Sequence, residues 1–358
     1  MPRVIQARVL LNAVILAATL SLTAPGARAQ DAMPPSPRQV AQPNAALIYW
    51  PAWVQIPSDV GEKLRAIDWA QVGTRTDVST LPAAYREAAA MPTLSSVAGE
   101  LVFASKQPRC DFEIRYDDGF MAVLPHLSKM RDGNRLLRLA AHEELVKRNA
   151  DAAAAYVAAM ARGAGQLSGD GVLISSLVGF ATATSACEEA AAVVASGTLT
   201  AAGRDELLAS LKGLDTSDPM RIRATLAFEG QVVPAYLERV YRGPKAGEEI
   251  AKLLGSFMSS EGEGEKVPDQ IQKLDEAGLK AELTRVRKVY EQIYAAWNLD
   301  SDGTLLKEIY QKVSTGAFGP LAQQLCPSLE KSFGSAQKFR STLRATIASV
   351  EKYTPAAK

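Results

Sequence analysis

The sequence predicts an all-α protein, an irregular array of αα-hairpins followed by a C-terminal helical hairpin. Two observations predict it. From about residue 45 to the C-terminus, alanine-rich segments carry apolar residues at the spacing of one helix face. Strict apolar and polar alternation, which marks a half-buried strand, is nearly absent. A hydrophobic content of 47% supplies the apolar surface a folded core needs.

In chain order, the first 29 residues read as a secretory signal: basic Met1 to Arg8, apolar Val9 to Leu22, then Ala27-Arg28-Ala29 before Gln30. The apolar stretch is shorter than the roughly 20 residues that span a membrane. No Arg-Arg pair and no cysteine at the cleavage site point to the twin-arginine route or to a lipid anchor. The expectation is an exported, periplasmic or extracellular product with no stable membrane span after cleavage. Residues 30–44 follow as a spacer, with four prolines between Asp31 and Pro43, a composition that stays extended.

The folded body opens on Leu47-Ile48-Tyr49-Trp50 and Trp53. Periodicity predicts helices over 59–72, 82–104, 125–147, 151–163, 171–196, 201–212, 219–241 and 244–259. Together they form a helical array over 45–259. Residues 260–267, in which glycine and glutamate alternate, read as a linker. A smaller helical unit, 268–353, follows with helices over 268–298, 303–315 and 327–353, then a short tail, 354–358. Apolar stripes (Ile271, Leu274, Leu283, Val286, Tyr290, Ile293, Trp297 and Leu329, Phe333, Phe339, Leu343, Ile347, Val350) suggest that its two long helices pack antiparallel. Two segments stand apart. Residues 112–116 alternate before the turn Asp117-Asp118-Gly119 and are expected as an ordered loop or a lone strand. Residues 171–187 carry no charge, but Ser175, Ser176, Thr182, Thr184 and Ser185 punctuate them, so a buried central helix is expected there.

Charge and cysteine content bound the function. Removing Arg3, Arg8 and Arg28 takes the 40 basic residues to 37 against 39 acidic ones, a net charge of about −2. That balance excludes the basic excess expected of a nucleic-acid binder. Cys110, Cys187 and Cys326 all lie beyond the signal, where a disulfide is permitted. Three is odd, so at least one is free or pairs with another chain, and either one disulfide or none is expected.

The stretch Leu136 to Ala159 resembles a tetratricopeptide-type helical hairpin. Leu136, Leu139 and Ala140 fall on the first-helix positions and Ala152, Tyr156 and Ala159 on the second, although Ala164 stands where that pattern has proline. One such unit is legible, which an ordinary αα-hairpin also explains. A broader resemblance runs from Asn44 to Gly179. Asn44-Ala45-Ala46 with Tyr49-Trp50, Cys110-Asp111-Phe112, Leu124-Pro125-His126-Leu127, Leu136-Leu137-Arg138-Leu139-Ala140 and Leu173 to Gly179 look like blocks of exported, all-helical bacterial proteins of the planctomycete type. That resemblance implies an exported helical fold and no particular activity.

Catalytic signals are sparse. His126 and His142 are the two histidines, sixteen residues apart on one expected helix and so on different faces. His142-Glu143-Glu144 begins like a zinc-protease motif, but Val146 occupies the place of the second histidine, and packing histidines are expected instead. No Gly-x-Ser-x-Gly elbow is present. Asp111, Glu113, Asp117 and Asp118 cluster after Cys110 and are the candidate carboxylates for a hydrolase. Asn298, Asp300 and Asp302, followed by Gly303 and Leu305, resemble the first two-thirds of an EF-hand calcium loop. There the closing twelfth position is Ile309, with Glu308 one place early. The other reading is that Asp302 caps the next helix. With no cofactor motif besides this possible calcium site, the leading expectation is an exported helical binding or scaffold protein for a protein or peptide of the envelope. An envelope hydrolase using the acidic loop 111–118 and a calcium-stabilised structural module are the alternatives.

Overall fold

The computed structural model describes residues 42–73, 75, 77–91, 94–259, 267–299, 302–326 and 329–355. The signal segment, most of the spacer and nearly all of the linker lie outside these residues. The described chain is all-α, with sixteen helices and no strand. These are α1 (Ala46–Val54), α2 (Ser58–Ala66), α3 (Trp69–Val72), α4 (Ala83–Ala89), α5 (Leu94–Ser105), α6 (His126–Val146), α7 (Ala150–Leu167) and α8 (Leu173–Ala195). There follow α9 (Ala201–Lys212), α10 (Ile222–Val240), α11 (Ala246–Ser259), α12 (Asp269–Gln272), α13 (Glu276–Leu299), α14 (Thr304–Ser314), α15 (Pro320–Leu325) and α16 (Glu330–Lys352). Residues 112–116 are an ordered loop that runs into a short 3-10 turn, Tyr116–Met121.

The uncharged segment is the centre of the fold. Helix α8 is long and apolar enough to cross a membrane by composition, yet more than half of its most apolar window is buried inside the protein. Helices α6, α7, α10 and α16 all pack on it. Its small residues allow that crowding: a Cβ on Gly179 would stand 3.1 Å from the Ala164 carbonyl of α7 and 3.0 Å from Met220 Sδ. Ser176 Oγ pairs with Thr225 Oγ1 of α10 at 3.2 Å, while the neighbouring Ser175 hydroxyl is buried without a partner.

Helix starts follow from local capping. Asn149 accepts from Ala152 N–H to begin α7, and Thr200 accepts from Gly203 N–H to begin α9. Asp151, in the first turn of α7, also receives the Thr200 N–H at 2.9 Å, which joins the two helix ends. Periodicity alone merges elements that caps separate. The expected helix over 59–72 is two helices, because Asp68 adopts an extended backbone and its carboxylate accepts from Ala70 N–H. The expected helix over 82–104 likewise divides into α4, which ends at Ala89, and α5, which begins at Leu94.

The C-terminal stripes are buried as expected, but on different partners. Helix α13 packs along α10 and α15, whereas α16 packs along α8 and α9. The two meet through Trp297 and Phe333, edge to face at 5.2 Å. Each stripe therefore covers apolar surface of the larger array, and one continuous core runs from Ala45 to Val350.

Helix α8 has a cap supplied from a distance. Glu229 of α10 is half-buried and accepts from Leu173 N–H at 2.6 Å, and burial pushes its carboxyl up to about 7 from the ordinary 4.5. A carboxyl raised on folding binds its proton more tightly in the folded chain. Its contribution is therefore complete below about pH 4.5 and is lost as pH rises through about 7. Glu229→Gln keeps an acceptor oxygen and removes the ionisation. Thermal melts should coincide for the two proteins at pH 4.5, and the variant should melt about 4 °C higher at pH 8. That corresponds to about 2 kcal/mol after allowance for partial solvent contact. A constant difference across that range would show that Glu229 does not titrate there.

Candidate functional site

The division at Asp68 also shapes the surface of the array. It turns α3 so that Trp69 and Ala70 face α6 and α8, and between the three helices lies an open cleft of about 410 Å³. Gly73, Arg138, Glu188, Glu189 and Ala192 complete its lining. A volume of that size is within the range of small-ligand sites.

Arg138 organises the polar wall. Its Nε donates to Glu189 Oε1 at 2.7 Å, its Nη2 donates to Glu188 Oε2 at 2.9 Å, and its guanidinium lies 4.5 Å from the centre of the Trp69 ring. Glu188 is exposed, while the Glu189 side chain retains 7% of its accessible surface. Burial pushes the Glu189 carboxyl above the usual range and the Arg138 contacts oppose that rise. Glu189 Oε2 is buried and has no hydrogen-bond partner, and neither has Trp69 Nε1. Such unsatisfied groups are costly in a core, where each leaves a desolvation penalty of about 1–3 kcal/mol.

Behind this wall, Tyr85 stands edge to face with both Trp69 and His142, and its hydroxyl is 2.8 Å from His142 Nδ1. Burial lowers the His142 pKa and raises that of Tyr85, so a neutral imidazole accepts from the phenol. His142 Nε2, the other ring nitrogen, is buried without a hydrogen-bond partner. His142 follows Arg138 by one helical turn, so the same face of α6 holds the wall and its support. The arrangement offers a fixed carboxylate, an indole and two alanine surfaces. It can orient a ligand, and no nucleophile faces it among the described lining residues.

The residues marked in the sequence lie elsewhere. Asp111 accepts from Glu113 N–H and pairs with Arg109 at 2.6 Å, contacts that hold its carboxyl below the usual range. Asp118 pairs with Arg115, Asp117 with Arg239, and Glu113 is exposed on a left-handed backbone at φ 55°. Three of the four carboxylates thus face separate arginines along the loop, and Glu113 is exposed beside them. Of the calcium-loop residues, Asp300 and the side chain of Asn298 lie outside the described residues. Asp302 accepts from Thr304 N–H at 3.0 Å, at the start of α14, and Ile309 packs against the core.

Both histidines are buried. His126 Nε2 is 2.7 Å from Asp170 Oδ2, and its ring stacks on Phe112 at 4.4 Å. Tyr116 donates to the Asp170 carbonyl, closing the loop over this pair. All three cysteines are free thiols. Burial pushes Cys110 and Cys326 up to about 12 and Cys187 to about 11, which leaves each a poor nucleophile.

Comparison with family models, with curated proteins and with solved structures finds no match for the chain.

Proposed function

We propose that this chain is an exported binding protein of the cell envelope that holds a peptide segment in the cleft between α3, α6 and α8. The observation that carries the reading is the cleft itself: an open space of about 410 Å³ between three helices, walled by the Trp69 indole and by Arg138 paired with the exposed Glu188. Export rests on the tripartite composition of residues 1–29, and the resemblance of the blocks between Asn44 and Gly179 to planctomycete-type exported helical proteins agrees with it. The α6–α7 pair, which contains the tetratricopeptide-like stretch, supplies the rigid frame on which Arg138 is held.

Selection from a random short-peptide library on the full chain tests the reading. Sequences should enrich that bind saturably and lose binding in Ala192→Phe, which fills the cleft from a partly exposed position on α8. Enrichment insensitive to Ala192→Phe would place binding elsewhere, and no enrichment would remove the reading. If the leader directs export, mass spectrometry of the released product should find an N-terminus at or near Gln30. An intact Met1 would contradict export by that leader.

A further inference from the structure

We infer that a second copy of this chain covers the outer face of α1 and α5, joining two molecules antiparallel about a two-fold axis. Helix α1 has nine residues and no charge, and Ala46, Tyr49, Ala52 and Trp53 fill the core beneath it. Its opposite face is equally apolar. Leu47, Pro51 and Val54 recur at the spacing of one helix face, and all are exposed, Leu47 at 68% and Val54 at 78%. A helix apolar on every side belongs inside a protein or an assembly.

Helix α5 extends the face. Gln55 donates to Glu100 Oε2 at 2.9 Å, and Ala45 N–H donates to the Arg109 carbonyl at 2.7 Å, so the two helices run antiparallel. Phe103, 60% exposed, therefore falls level with Pro51. A Cβ on Gly99, one turn before Phe103, would meet nothing within 4 Å, which leaves the α5 backbone bare beside the ring. The patch presents roughly 400 Å² of apolar surface, a size that marks an interaction site. Two such patches face to face, with their polar rims, reach the roughly 1,200 Å² at which specific interfaces begin.

Charge selects a second copy as the occupant. Glu100 and Lys106 stand three residues either side of Phe103. Glu100 is held by the neutral Gln55 amide, which leaves its charge unbalanced. Lys106 and Arg162 both pair with Glu206 at 3.2 Å, two cations on one carboxylate, so a positive charge is left over. A two-fold axis across the helices at Phe103 sets the Lys106 end of each copy against the Glu100 end of the other. A bilayer, uniform in charge, would match one end and not the other. No residue lining the α3–α6–α8 cleft lies on α1 or α5, so the pairing is independent of ligand binding there.

Sedimentation equilibrium of the full chain tests this. A dimer should form with a Kd at or below about 10 μM, and Val54→Glu and Phe103→Glu should each weaken it about tenfold or more. Both positions are exposed, so the circular dichroism of the variants should match that of the parent. Glu100→Lys and Lys106→Glu should each weaken the dimer severalfold alone. An equimolar mixture of the two should restore it, because every lysine then faces a glutamate. Charge variants that each dimerise as well as the parent would overturn the antiparallel pairing. A chain monomeric at every concentration, or a dimer indifferent to Val54→Glu and Phe103→Glu, would overturn the interface. Monomers that cosediment with phosphatidylcholine vesicles, and lose that binding in Val54→Glu, would assign the face to a lipid surface instead.

Discussion

Trp53→Ala is expected to destabilise the protein by about 3–5 kcal/mol, the range for truncating a large buried aromatic side chain. Trp53 is fully buried and stacks on Tyr49 at 5.1 Å and on Phe112 at 5.8 Å, with Trp50 edge-on at 5.3 Å. It also sets the approach of α1 to α6, because a Cβ on Gly133 would stand 2.9 Å from its indole nitrogen. Removing the indole therefore loosens the N-terminal helix, the aromatic cluster and the 110–118 loop together. Denaturant titration followed by tryptophan fluorescence measures the loss. A cost under about 1 kcal/mol would mean that α1 adds little to the cooperative fold.

Disrupting the His126–Asp170 pair comes second. Both side chains are almost fully buried, at 1% and 3% exposure, and they join the start of α6 to the turn that leads into α8. His126→Phe keeps a ring on Phe112 and leaves the Asp170 carboxyl buried without its partner. Breaking a buried pair from one side costs about 3–5 kcal/mol, more than the pair itself contributes. Adding Asp170→Ala should recover part of that loss, because the orphaned carboxyl is then gone. If the double variant is less stable than His126→Phe by the full cost of Asp170→Ala alone, the two residues are independent and the linkage is wrong.

The helical class was legible because the apolar periodicity of α6, α8, α13 and α16 is long and regular. The central position of α8 could be read from its lack of charge combined with small and hydroxyl residues. The helix breaks were harder. The α2–α3 division depends on a single Asp68 side chain closing on Ala70 N–H, a contact of the kind that periodicity does not register. Pairing of the C-terminal stripes was also beyond the pattern, since an apolar stripe specifies that it is covered and not by which helix.

The cleft went unseen because its residues are far apart in sequence and share no motif. Trp69, Arg138 and Glu189 meet only once three helices pack. One trace was present: Glu188-Glu189 ends the uncharged run of α8, and acids at the end of a buried helix need a partner or a ligand. The acidic loop drew attention through its local density of carboxylates. Density is a poor guide there, because Arg109, Arg115 and Arg239 each pair with one of them.

The most direct measurement uses the four tryptophans of the chain, Trp50, Trp53, Trp69 and Trp297, as reporters. In an isotope-labelled full chain, their indole N–H resonances are followed during titration with a peptide from the library selection. A ligand seated in the cleft should move the Trp69 resonance saturably and leave Trp53 in place, and in Ala192→Phe it should move neither. A Trp69 resonance that stays fixed while another tryptophan responds saturably would contradict binding in this cleft.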